Sequence, residues 1–139
     1  MSEQPSSPTP TGWPEAVQAP GTPGWEQSAT KWLFAEVVPG EWRRYHVLIK
    51  NPLMLARDAR YLVEGYLQAM REAYRRARVD LADHFEPHQI EERLKAYAEE
   101  GARLTALSRQ TQLVEDALTG VRWVPRMDSA PWGARSKGA

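Results

Sequence analysis

The side chains best suited to chemistry gather in one short stretch. There His84, Glu86, His88, Glu91 and Glu92 supply imidazoles and carboxylates that could ligate a metal or move protons. Their spacing argues otherwise. Two histidines four residues apart bind a metal from one face of an unbroken helix, and Pro87 separates His84 from His88; neither a His-Glu-x-x-His run nor a pair of Glu-x-x-His units occurs. The plainer reading is a helix start, with Pro87 near its favoured N-terminal position and acidic residues of the first turn offsetting the positive end of the dipole. His84 and His88 are then ordinary loop residues. The third histidine, His46, has no serine or cysteine near it, and the chain carries neither a phosphate-cradling glycine loop nor a nucleophile elbow. These negatives predict a protein that is not an enzyme, with no catalytic residue, metal or cofactor.

Charge gives the next candidates. Arg71, Arg75, Arg76 and Arg78 form the densest basic run, and Arg122, Arg126, Arg135 and Lys137 make the C-terminal end basic around Trp123 and Trp132. Such a set could clamp phosphates and stack bases. Against that, 18 basic residues face 18 acidic ones in the chain, and no helix-turn-helix spacing appears. Nucleic-acid binding is therefore the second reading. Six tryptophans remain. Trp13, Trp123 and Trp132 lie in Pro- and Gly-rich surroundings and look like short attachment points for a protein partner, because tryptophan is enriched at interface hot spots. For Trp13 a solvated ring is the alternative, and for Trp123 a ring folded back over the end of the core.

The elements that position these residues follow from the punctuation. Residues 1–24 hold six of the eleven prolines and read as a disordered arm; residues 121–139 lose helical periodicity and read as a flexible basic tail. Between them four helices are expected, at about 25–38, 41–50, 52–83 and 88–119. Thr22 is the expected N-cap of the first, Asn51-Pro52 opens the third, and Gly120 ends the fourth. Trp25, Ala29, Trp32 and Leu33 form one apolar face, and Trp42, Tyr45 and Ile49 another, although Val47–Ile49 also reads as a strand.

The two long helices carry the strongest signal. Leu55, Ala59, Leu62, Tyr66, Ala69 and Ala73 recur at alternating spacings of four and three, and Val63, Leu67, Met70, Tyr74, Ala77 and Leu81 repeat the pattern beside them. That face is wider than a two-stranded coiled coil needs. Residues 41–80 carry nine basic and five acidic side chains, whereas 81–120 carry four basic and eight acidic ones. Opposite charge predicts that the two helices pair, and a turn centred near Phe85 and Glu86 makes an antiparallel hairpin with Arg57 near Glu115, Arg71 near Glu100, and Ala69 and Ala73 facing Ala102 and Ala98. A close approach at that alanine level would account for Gly101. The surplus stripe needs a cover, either the Trp-bearing short helices or a second copy of the chain.

The stretch from Trp25 to Arg78, with Trp32-Leu33-Phe34, Pro39-Gly40-Glu41, the run Pro52 to Arg57 and the later Leu113 to Gly120, resembles a group of small helical proteins of actinobacteria, streptomycetes in particular. The resemblance brings no assigned activity. It implies a cytoplasmic setting, in keeping with fourteen arginines against four lysines. No apolar run suggests a signal peptide or a membrane span. Helical-hairpin proteins of the type VII secretion systems are similar in size, but they carry Trp-x-Gly where this turn reads His84-Phe85-Glu86-Pro87. The expectation is an all-α scaffold or adaptor, cytoplasmic and without membrane contact, that meets a protein partner or its own copy. Its contacts would be Val63, Leu67, Met70, Tyr74, Trp13, Trp123 and Trp132.

Overall fold

A computed structural model describes residues 9–120. The order is α1 (Trp25–Glu36), a 3₁₀ turn (Gly40–Arg44), α2 (His46–Lys50), α3 (Pro52–Asp80) and α4 (Pro87–Leu118), with no strand among the described residues. Helices α3 and α4 form the long antiparallel hairpin. At about 1.5 Å per residue each spans roughly 45 Å.

Local chemistry sets the ends. Thr22, Pro23, Gly24 and Trp25 make a turn closed by the Trp25 amide on the Thr22 carbonyl at 3.0 Å, with Gly24 at φ 83°. Proline then glycine at positive φ is the type II signature. Gly24, rather than Thr22, therefore occupies the N-cap of α1. The expected second helix is broken at Tyr45, whose extended backbone separates the 3₁₀ turn from α2. Leu48 is its buried residue, while Tyr45 and Ile49 are exposed.

Asn51 stands at the N-cap of α3, but its side chain donates backward to the Val47 carbonyl at 2.8 Å. Pro52 follows at the first helical position, where its missing N–H costs nothing. Glu86 caps α4 through a capping box with Gln89, whose Oε1 accepts the Glu86 amide at 2.8 Å. No acidic residue falls within the first turn itself; the stabilisation comes from the cap. Gly120, at φ 87°, closes the far end.

The main core lies at the end of the hairpin where α3 begins and α4 finishes. Trp25, Ala29, Trp32, Leu33 and Phe34 of α1 bury against Leu55, Ala56, Ala59 and Val63 of α3 and Leu104, Leu107 and Val114 of α4. The short helices thus cover the hairpin within one chain. They cover only that end. Near the turn a small separate cluster of Ala77, Ile90 and Leu94, flanked by Leu81 and Tyr97, holds the two helices together.

Residues 9–24 are not a free arm. Pro10, Pro14 and Val17 are buried, and the indole Nε1 of Trp13 donates to the Val17 carbonyl at 2.8 Å. Its ring centroid lies 6.1 Å from that of Trp25. The proline rings that interrupt helix here also supply apolar surface, and together with Trp13 they wrap the end of the bundle. Residues 1–8 and 121–139 lie outside the described residues.

Candidate partner-binding groove

The packing of α3 on α4 settles which apolar stripe faces inward. Val63 is fully buried, Leu67 and Met70 are half-buried, and Ala77 is buried against Ile90 and Leu94. This is the stripe expected to be surplus, and it forms the seam with α4. The other stripe divides: Leu55 and Ala59 bury within the α1-covered core, whereas Tyr66 and Ala69 are exposed. Two consequences are corrections. Val63 is ordinary core and no contact surface. Ala69, Ala98 and Ala102 are exposed, so no alanine-lined close approach exists. A Cβ built at Gly101 would meet nothing within 4 Å.

What occupies that level is a groove of about 260 Å³, lined by Leu67, Met70, Arg71 and Tyr74 of α3 and Tyr97, Ala98, Gly101 and Thr105 of α4. No residue of α1 or of the N-terminal segment lines it. It lies between the two clusters that join the helices. Small side chains on α4 make the hollow: Ala98 and Gly101 stand where a leucine would close the seam. Leu67, Met70 and Tyr74 thus belong to one surface. Trp13 does not join them, being engaged with Trp25, and Trp123 and Trp132 lie outside the described residues. Tyr97 and Thr105 are not singled out as contacts by the sequence; the signal available is Tyr97, three residues after Leu94 and four before Gly101.

Above and below the groove, ion pairs bridge the helices. Arg57 Nε lies 2.8 Å from Glu115 Oε2 and Arg60 Nε 2.6 Å from its Oε1. The Glu115 side chain is only 5% exposed. Burial pushes its carboxyl up, but the two guanidinium hydrogen bonds and charges outweigh burial and hold it below its ordinary value. Toward the turn, Arg78 meets Glu91 at 3.1 Å. Arg75 pairs with Glu72 and Arg76 with Asp80, each within α3. Arg71 makes no hydrogen bond or ion pair among the described residues, and its expected partner Glu100 is bound by Arg103 at 2.6 Å. Arg93 stacks over Tyr97, 4.2 Å from the ring centroid.

Of the histidine-carboxylate stretch, Glu86 is engaged in its cap and Glu91 with Arg78, while His84, His88 and Glu92 are exposed. Among the described residues no group of three or more His, Asp or Glu side chains is placed to hold a metal ion. No helix of the described residues is long and apolar enough to cross a membrane. The remaining nucleic-acid candidates, Arg122, Arg126, Arg135 and Lys137, fall outside the described residues.

Fold and groove together define an all-helical hairpin protein, capped at one end and open along its middle. Comparison with protein-family models, with curated proteins and with solved structures gives no match for this chain.

Proposed function

We propose that this chain is a non-enzymatic helical scaffold, an adaptor that holds a protein partner in the groove between α3 and α4. The observation that carries the reading is the uncovered apolar hollow beside Leu67, Met70 and Tyr74. The same seam is sealed by α1 at one end and by Ile90 and Leu94 at the other. A hairpin interrupted by an open apolar stretch has the form of a helix-in-groove receptor. The nucleic-acid reading has less behind it, since Arg75, Arg76 and Arg78 each have a carboxylate partner.

The test is Gly101→Leu, which places a side chain in the hollow where none stands now. Gly65→Leu is the matched control, because Gly65 is equally free of neighbours and lies outside the groove. Tagged full-length chain should recover a stoichiometric protein that Gly101→Leu loses and Gly65→Leu keeps, with helical circular dichroism unchanged in both. Equal recovery by both variants overturns the groove as the binding site.

A further inference from the structure

The groove has a charge character that specifies its occupant. On α3, Arg57, Arg71 and Arg78 stand two heptads and one heptad apart, so they keep to one side of the helix, turning by about 20° per heptad. At both ends of that side α4 supplies a carboxylate, Glu115 to Arg57 and Glu91 to Arg78. In the middle it supplies Ala98, Gly101 and Thr105. Arg71 is therefore the rung of an inter-helix ladder whose acid is missing, at the lip of an apolar hollow. Its sequence neighbour Glu72 is committed to Arg75.

Resting on the groove reading above, we infer that the occupant is an acidic amphipathic helix of a partner protein, with a carboxylate on Arg71 and its apolar face between Met70, Tyr74 and Tyr97. From Tyr97 to Thr105 the groove runs roughly 12 Å at about 1.5 Å per residue, two turns of an occupying helix. That length seats two apolar side chains one turn apart, with the acid on the flank. The chain's own C-terminal residues fit poorly. Residues 121–139 bring Arg122, Arg126, Arg135 and Lys137 against Asp128 alone, adding positive charge beside Arg71. An isologous second copy would bring two hollows and two Arg71 side chains to one interface, whereas an acidic helix meets the hollow and its single charge directly.

The experiment is selection of a displayed library of helical peptides on the full chain, with binders re-measured by fluorescence anisotropy on Gly101→Leu, Arg71→Glu and Gly65→Leu. The expected result is a set of binders rich in Asp and Glu, abolished by Gly101→Leu and kept by Gly65→Leu. Arg71→Glu should weaken them about tenfold or more, and replacing their key acid with Lys should restore binding to that variant. Binders lost on Gly101→Leu but indifferent to Arg71→Glu would keep the groove and overturn the acidic occupant. If no selected peptide responds to Gly101→Leu, the groove reading itself fails. Peptide binding that appears only after Trp132→Ala in the full chain, or a dimer that Gly101→Leu dissolves, would assign the groove to the tail or to a second copy and overturn the inference.

Discussion

The two ends of the hairpin solve the same packing problem differently. Where α3 begins and α4 ends, a third helix and the wrapped residues 9–24 complete a continuous core. Toward the turn, two helices alone hold one another through Ala77, Ile90, Leu94 and a surface ion pair. A pair of helices has too little shared apolar surface to seal both of its flanks. The difference teaches that this chain concentrates its buried apolar side chains at one end and leaves the seam open between that end and the small cluster near the turn.

Core truncation sharpens that contrast most. Leu55 is wholly buried among α1, α3 and α4 residues, so Leu55→Ala should cost about 3–4 kcal/mol, whereas Leu94→Ala in the smaller cluster should cost about 2 kcal/mol. Chemical denaturation measures both. Hydrogen exchange should show the amides around Ala77 and Leu94 opening more readily than those around Leu55 and Leu104. Equal costs and equal protection would mean that the two ends are one cooperative body.

The ion pairs come next. Removing the Glu115 carboxylate leaves Arg57 without a carboxylate partner and Arg60 with only the longer contact to exposed Glu64. Because Arg57 is half exposed, Glu115→Ala should cost about 1–3 kcal/mol, below the usual toll for a fully buried pair. The surface pair Arg78 and Glu91 should return about 0–1 kcal/mol in a double-mutant cycle. A pH titration separates the two ends further. The Glu115 carboxyl is held below its ordinary 4.5 in the folded chain. Its contribution is therefore present above pH 4.5 and is lost as pH falls through the lower, folded value. Glu115→Gln should flatten the acid limb of the stability profile; an unchanged limb would show that the pair contributes no net stability. At the same end, Trp13→Ala removes a ring packed on Trp25 and an indole hydrogen bond, for about 1–2 kcal/mol.

The sequence made the register of the hairpin legible and left its rotation hidden. A turn centred near Phe85 and Glu86 placed Arg57 beside Glu115, as found. Rotation failed because the apolar arc of α3 spans two stripes, and periodicity fixes the direction of an arc only to within its width. The alanines at 69, 73, 98 and 102 favoured a close contact, yet most of them face solvent. Prediction of the groove required knowing that α1 and α4 together bury Leu55, Ala59 and Val63, while Leu67, Met70 and Tyr74 are left to line the hollow with α4. That partition depends on a third element no helix pattern reveals. The N-terminal segment departs from the arm expected of it for a related reason: proline breaks helices, but Pro10 and Pro14 are also apolar rings that are buried here.

A small expected gain in stability decides the most about the groove. Glycine inside a helix costs on the order of 1 kcal/mol relative to alanine, so a helical glycine with open space at its Cβ should gain stability on replacement. Gly65 and Gly101 both meet that description. Gly65→Ala and Gly101→Ala should each raise the thermal midpoint by roughly 3–5 °C. The two positions differ in their surroundings: Gly65 is exposed on α3, while Gly101 is only half exposed and lines the hollow between the helices. Gly65→Ala therefore reports helix propensity alone, and any shortfall at Gly101 reports its neighbours. If Gly101→Ala loses stability while Gly65→Ala gains it, α3 and α4 close on one another at Gly101 in solution, and the hollow has no room for a partner. Equal gains mean that the space at Gly101 stays open, which is the condition every helix-in-groove reading of this surface requires.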